Sequence, residues 1–402
     1  MGQPDAQARL GPVDELDLRP VFQPIVELRD GAVVGYEALL RSGPADGELH
    51  SAQALLAAAR REDSMLALDL AARDAALQAA EEAGLDAPFS LFLNADPATL
   101  DGGSPERPST RLTLVVEVTE QALIAHPEAL LRALTRLRSA GWGIALDDVG
   151  ADSRSLALMS LLYPDVIKLD LRLLGERPPE ERARIVTAVG AEAERRRAAV
   201  LAEGIDSEEQ LAAARAYGAT LGQGYLLGTP GALPEPLPPP GRGLRLPGGG
   251  SDAFGPPPWE RVTNWRRPCT GSRRLAAEAA RLIVDHAAAL GSTAIVLASL
   301  ADESHGPGSV ARYRWLPERV AFVGVLNAGR SFKGTGVHSG ALAADDALRG
   351  TGTLVALAPE FAACFVVREQ GPDEWSFAIT YDRDTVVECA LPLIARMEPL
   401  EA

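Results

Sequence analysis

Nine polar side chains stand at or near the ends of successive short apolar runs in the first half of this sequence: Glu37, Asn94, Glu117, Asp147, Asp148, Lys168, Asp170, Glu203 and Gln223. Six are carboxylates, two are amides and one is a lysine. Carboxylates gathered in one place repel one another unless cations lie among them. Oxygen donors with no histidine or cysteine nearby suit hard Mg²⁺ or Mn²⁺ better than Zn²⁺. Two such ions and a base would support in-line hydrolysis of a phosphodiester. Each residue also has a plainer reading. A single strand-end acid is often a helix cap or dipole partner, and Lys168, two positions before Asp170, could form a salt bridge. The adjacent Asp147-Asp148 is harder to explain so, because two like charges at one strand end need a partner.

A repeat of strands and helices must bring these residues together. Leu18–Leu28 and Val33–Leu40 read as strands joined by the tight turn Arg29-Asp30-Gly31-Ala32. Helices are expected over Ser51–Arg61 and Met65–Ala83, the second with Leu66, Leu70, Leu77 and Ala80 at helical spacing and Gly84 to end it. Ser90–Asn94 is a short strand, and Asp101–Thr110 a loop. Strands then follow at Leu112–Val118, Gly143–Asp148, Val166–Asp170, Ala199–Glu203 and Leu221–Leu227. Helices at Pro127–Ser139, Ser155–Leu162, Pro179–Arg197 and Ser207–Tyr217 separate them. Such parallel βα units fit an α/β chain closed into a (β/α)8 TIM-type barrel, whose C-terminal strand ends converge on one face. No Gly-x-Gly-x-x-Gly turn follows any strand, which weakens a dinucleotide-binding alternative.

With 402 residues the chain has room for two domains, and 47% hydrophobic with 23% charged residues marks an ordinary globular protein. A net charge of -16 argues against a surface for polymeric nucleic acid but allows a small anion held by metal ions. Cys269, Cys364 and Cys389 lack metal-type spacing and a disulfide framework. Met1–Pro12 has no apolar signal core and no apolar run reaches about 18 residues, so a cytoplasmic protein without a membrane span is expected. Thr229–Pro258, with its proline run and Gly248-Gly249-Gly250, reads as a flexible linker. Beyond it, from Trp259 or Trp265, a smaller α/β domain is expected. Its helices are Ser272–Leu290 and Asp384–Met397, and its strands Thr293–Leu300, Arg319–Asn327, Thr353–Leu357 and Trp375–Tyr381. Glu360–Arg368 is open between helix and strand. His286, His305 and His338 are scattered and read as surface or core filling.

Over about residues 15–232 the motifs Glu37-Ala38-Leu39-Leu40-Arg41, Asn94, Glu117 with Thr119-Glu120, Asp147-Asp148, Lys168 with Asp170, Glu203-Gly204 and Gln223-Gly224-Tyr225 resemble the EAL-domain cyclic di-GMP phosphodiesterases. That resemblance implies a barrel with an antiparallel first strand and hydrolysis of cyclic di-GMP, a bacterial second messenger, to the linear dinucleotide. It implies two Mg²⁺ or Mn²⁺ ions. Glu37, Asn94, Glu117 and Asp147 would hold the first, and Asp148 and Asp170 would help hold the second. Lys168 would orient or deprotonate the attacking water, supported by Glu203 and Gln223, while Gln23 and Arg41 would contact substrate. It also implies a homodimer. The sequence departs from the family at Val149–Ser155 and at Asp206, which replaces a glutamate that supports that loop. A non-catalytic cyclic di-GMP-binding effector is therefore the alternative reading, and a hydrolase of another phosphodiester a third. After a linker at 233–262, residues 263–400 resemble the DICT sensory domain. The carrying residues are Ser272-Arg273, Val320–Leu326, Leu357-Ala358-Pro359-Glu360-Phe361 and Thr380–Val386. Its implied role is sensing or partner contact, with Tyr381, Asp382 and Arg383 a candidate site, although Asp384 as a helix cap explains those acids equally well.

Overall fold

Short apolar strands that alternate with half-apolar helices can bury both faces only by closing on themselves or by being covered on both sides. In the computed structural model the first half of the chain does the former and the second half the latter. The structure describes residues 16–43, 50–96, 99, 110–150, 154–247, 255–301, 313–326, 335–371 and 374–399. The expected loop Asp101–Thr110, apart from Thr110, and residues 151–153 of the altered segment after Asp148 lie outside the described residues, as does Gly248-Gly249-Gly250.

Eight strands form the closed barrel: β1 Val21–Glu27, β2 Val33–Leu39, β3 Ser90–Asn94, β4 Thr113–Val118, β5 Gly143–Val149, β6 Val166–Asp170, β7 Ala199–Glu203 and β8 Leu221–Gly222. β1 runs antiparallel to β2 and β8, and every other neighbouring pair is parallel. Helices α1 Ala52–Arg61, α2 Met65–Glu82, α3 Glu120–Ala125, α4 Pro127–Ser139, α5 Arg154–Leu162, α6 Leu171–Gly175, α7 Pro179–Arg196 and α8 Glu208–Ala216 connect the strands. The (β/α)8 expectation therefore stands. α3 and α6 had no separate signal, being too short for a periodic pattern. β8 is shorter than the expected Leu221–Leu227. After Gln223 the backbone of Gly224 presses against Ile205, where a Cβ would come within 2.2 Å of its carbonyl oxygen, so the chain turns there.

Ile25, Val34, Phe92, Val115, Ala145, Val166, Leu201 and Leu221 fill the barrel interior. The proline-rich tract holds no long strand or helix, as expected, yet residues 232–247 are not free chain. Gly241 N donates to Val33 O at 2.8 Å, and Leu244 and Leu246 pack under the interior cluster. Leu246 fills the place a side chain at Gly143 would occupy. The physical reason is the open floor of a parallel barrel, whose apolar side chains need a cover. Leu246→Ala is expected to lower unfolding stability by about 1–2 kcal/mol, measured by urea titration, because the side chain is only partly buried.

The second half contains a seven-stranded sheet in the order β12-β11-β10-β13-β14-β15-β9. Its strands are β9 Cys269–Gly271, β10 Ile295–Ser299, β11 Phe322–Leu326, β12 His338–Gly340, β13 Gly352–Ala358, β14 Phe361–Gly371 and β15 Glu374–Thr380. Its helices are α9 Pro258–Thr263, α10 Arg273–Leu290 and α11 Arg383–Ile394. The ambiguous Glu360–Arg368 is thus a strand. Alternate residues of β10 face opposite cores, Val296 and Ala298 with Ile283 and Val284 of α10, Ile295 and Leu297 with Leu391 and Ile394 of α11. No helix among the described residues is long and apolar enough to cross a membrane.

Candidate active site at the barrel mouth

Side chains alternate along a strand, so residues two positions beyond an interior side chain point inward one layer higher. Val115 and Val166 belong to the barrel interior, and Glu117 and Lys168 follow each by two. Parallel registry places Asn94 beside Glu117 and Asp170 beside Glu203, while β1 sets Gln23 against Glu37. The pleat and the register together therefore assemble the mouth.

Lys168 occupies its centre. The ammonium Nζ lies 2.7 Å from Glu117 Oε1, 2.8 Å from Glu203 Oε1, 3.1 Å from Asp147 Oδ1 and 3.9 Å from Glu37 Oε1. Lys168, Glu117 and Glu37 are buried, at 1%, 2% and 7% exposure. Glu37 is also held from both sides. Asn94 Nδ2 donates to its Oε1 at 3.2 Å, and Gln223 Nε2 to its Oε2 at 2.7 Å. Gln223 also donates to Gln23 Oε1 at 3.1 Å, and Gln23 in turn to Gly228 O. The sequence thus named a set that the structure brings together: Glu37, Asn94, Glu117, Asp147, Lys168, Glu203 and Gln223, with Gln23 behind them.

Four others need separate description. Asp148 is an exposed residue with a left-handed backbone, φ +55°, its N–H donating to Asp147 Oδ1 at 2.9 Å. Asp170 Oδ1 accepts from Arg172 N and Leu173 N, so this oxygen caps α6. Arg41 turns back on the chain, Nη1 donating to Leu40 O at 2.7 Å, and makes no ion pair with the acids among the described residues. Asp206 Oδ1 accepts from Tyr225 N at 3.0 Å and so supports the turn that carries Gln223.

Sequence reading missed Asp69. It accepts from Asp96 N and Thr99 Oγ1 and pairs with Arg73 at 2.9 Å, which fixes the chain just after Asn94. The available signal was an acid beside the apolar positions Leu68, Ala72 and Ala76 of α2. Burial raises its carboxyl above the usual range, partly offset by Arg73. A cavity of about 450 Å³ opens next to the acids, with Glu37, Asn94, Glu117 and Asp147 at one end and Leu40, Leu56, Met65 and Leu68 at the other. In the second half, the suggested Tyr381-Asp382-Arg383 site resolves into structural contacts. Asp382 caps α11, its Oδ1 accepting from Thr385 N at 2.9 Å, while Arg383 donates to the carbonyls of Ala358, Pro359 and Phe361.

Electrostatics at the mouth is one-sided, with four carboxylates round one ammonium. Burial, reinforced by Glu37, raises Glu117 well above the ordinary glutamate value. Burial also lifts Glu203 to about 8 against the opposing pull of Lys168, and raises Asp148 with help from Asp147. Burial works against the charge on Lys168, but Glu117, Glu203, Glu37 and Asp147 outweigh it and hold the ammonium proton well above its usual range. A carboxylate raised in the folded state gives stability that is present below its unfolded value and lost as pH rises through the folded one. Metal-free protein should therefore lose on the order of 2 kcal/mol between pH 4.5 and 8, the ordinary and folded values of Glu203. Lys168, raised, adds its share throughout that window. Melting temperatures in chelator across this range test the point, and Glu203→Gln should flatten the slope.

The donors suit a hard divalent cation. All are oxygens or amides, and buried Glu117 Oε2 and Gln223 Oε1 have no hydrogen-bond partner. Their present spacing is that of ion pairs to Lys168, and among the described residues no three acid, histidine or cysteine side chains are spaced as the ligands of one metal ion.

A model of the EAL domain matches residues 8–230 of this chain. Similar curated proteins include the cyclic di-GMP phosphodiesterase PA2567 of Pseudomonas aeruginosa, 31% identical over 228 residues, covering 54% of this chain and 39% of that protein. The cyclic di-GMP phosphodiesterase RocR of the same organism is 28% identical over 240 residues, 56% of this chain and 59% of its own. A solved structure of the Bacillus subtilis YkuI protein, with an EAL domain, in complex with cyclic di-GMP and calcium, is 30% identical with a TM-score of 0.47, covering 55% of this chain and 57% of that one. This chain therefore spans about 40–60% of the length of these relatives.

Proposed function

The chain belongs to the EAL domain family, and from that premise we propose that its barrel hydrolyses cyclic di-GMP to linear pGpG with two Mg²⁺ or Mn²⁺ ions. The observation that carries this reading is the group of four carboxylates, two buried and two half-buried, round buried Lys168, beside a cavity that reaches Glu37, Asn94, Glu117 and Asp147. Glu37, Asn94, Glu117 and Asp147 would hold one ion and Asp148 with Asp170 the other. Bound there, the ions supply charge to the phosphoryl oxygens and acidify water.

The chain's own groups divide the remaining work. Lys168, ion-paired with Glu117 and Glu203, would orient or deprotonate the attacking water. Glu203, paired with that lysine, and Gln223 would support the metal site and the water. Gln223 orients Glu37, and Asp206 holds the turn behind it. Gln23 and Arg41 would meet the substrate, Arg41 by leaving the Leu40 carbonyl for a phosphate. The part from about 263 to 400 would be a DICT-like sensory domain that modulates turnover in response to a ligand or protein partner. A cytoplasmic homodimer belongs to the same proposal.

A second reading, a cyclic di-GMP-binding effector without turnover, draws on the departures from the family pattern at Val149–Ser155 and Asp206. Incubation with cyclic di-GMP and each metal separates the two. Linear product that disappears in Glu37→Ala supports hydrolysis, and binding without product supports the effector. Parallel assays of other cyclic dinucleotides test the substrate.

A further inference from the structure

Asn94 is held differently from the buried acids of the mouth. It is the last residue of β3 and is exposed, whereas the rest of that strand is buried. Its Nδ2 donates to Glu37 Oε1 at 3.2 Å, which leaves Oδ1 as the atom able to meet a cation. Beyond Asn94 the strand ladder gives out: Ala95 N reaches Glu117 O only at 3.4 Å, a long bond. The direction of Oδ1 therefore depends on where the backbone goes next.

Asp69 of α2 fixes that course. Its Oδ1 accepts from Asp96 N at 3.2 Å, two residues past Asn94, and Thr99 Oγ1 donates to its Oδ2. Thr99 is buried, and its Oγ1 also lies 2.7 Å from Asp96 O. Arg73, one helical turn on, pairs with Asp69 Oδ2 at 2.9 Å. The Asp69 and Arg73 side chains are only 11% and 12% exposed, and both line the cavity beside Asn94. An ion pair four residues apart on a helix ordinarily lies in solvent, where it adds little. This one is kept from solvent at a desolvation cost, and the backbone after Asn94 is its third member. Holding α2 to the barrel would not need it, because Leu68 and Ala76 of that helix are already buried there.

We propose that Asp69 is a positioning residue for Asn94: by holding Asp96 N it sets the direction of the Asn94 amide, and with it the affinity of the mouth for a hard divalent cation. This rests on the reading of Asn94 as a metal-holding residue. The route is short, from Asp69 Oδ1 to Asp96 N and back through Ala95 to Asn94. Its partners have unequal parts. Asp69 acts through the acceptor it offers Asp96 N, Thr99 braces that carboxylate, and Arg73 balances its charge.

The test uses the full chain, with Mn²⁺ affinity titrated by electron paramagnetic resonance and hydrogen exchange read at the Asp96 amide. Asp69→Ala should speed that exchange about tenfold and weaken Mn²⁺ binding about 10- to 100-fold. Asp69→Asn with Arg73→Met removes both charges yet keeps an acceptor for Asp96 N, and should bind Mn²⁺ within about threefold of wild type. Thr99→Val trims one contact at constant shape, should weaken binding about threefold, and stands in if Asp69→Ala does not fold. A double-mutant cycle then tests the route. Asn94→Ala weakens Mn²⁺ binding, and adding Asp69→Ala or Thr99→Val should cost nothing further, because both act through Asn94. Additive losses overturn the proposal, as does wild-type affinity in Asp69→Ala, or an Asn-Met double variant as weak as Asp69→Ala. Asn94→Ala that binds Mn²⁺ like wild type removes the metal-holding reading of Asn94 and overturns the proposal with it. A wild type that binds Mn²⁺ yet releases no product sinks hydrolysis alone, and the cycle still decides the role of Asp69.

Discussion

Lys168→Met should destabilise the metal-free protein by about 3–5 kcal/mol and reduce turnover at least about 10³-fold. The stability loss follows from what remains: Glu117, Glu203, Asp147 and Glu37 keep their places with no ammonium within 4 Å. Removing one partner of a buried ion cluster is far worse than never having built it, because the surviving charges stay desolvated. Those carboxylates would respond by taking up protons, so the variant should be most unstable above neutrality and recover in acid. Denaturant unfolding at pH 5 and 8 measures this directly. A loss that is equal at both pH values would mean that packing of the lysine stem, and not its charge, holds the mouth together.

Glu37→Gln should abolish hydrolysis, by about 10³-fold or more, while changing stability by no more than about 1 kcal/mol. Glu37 is the residue on which two amides converge, Asn94 at 3.2 Å and Gln223 at 2.7 Å, with Lys168 at 3.9 Å. A glutamine fits the same space but offers one acceptor where the site has two donors, so one hydrogen bond is lost. Against that, the change removes a negative charge that raises Glu117. The two effects oppose each other, which is why the fold should tolerate the change and the chemistry should not. Calorimetric titration with Mn²⁺ would add the reason: metal binding weakens along with turnover.

Much of this mouth was legible in the sequence because strand geometry is so regular. Once Val115 and Val166 are interior, Glu117 and Lys168 must stand above them, and no other information is needed. What periodicity cannot carry is distance. Nothing in the order of residues said that Lys168 would gather four carboxylates, or that one oxygen of Asp170 would be used to cap α6. Asp69 escaped because its partners, Asp96 and Thr99, lie on a loop whose course depends on tertiary contact. The proline-rich tract read as free chain for a similar reason: composition excludes a helix there but says nothing of the barrel floor that Leu244 and Leu246 cover. The packing of α5 between two halves of the chain is likewise a property of three dimensions, since Leu391 and Leu161 are far apart in sequence.

The most direct test of the proposed activity is a chromatographic time course of cyclic di-GMP with the purified full chain and Mn²⁺, beside Glu37→Gln under identical conditions. Linear pGpG that accumulates with the wild type, stops on chelation and is missing with Glu37→Gln is the expected result. Cyclic di-GMP that binds the wild type yet returns intact, with Mg²⁺ as with Mn²⁺, would contradict it.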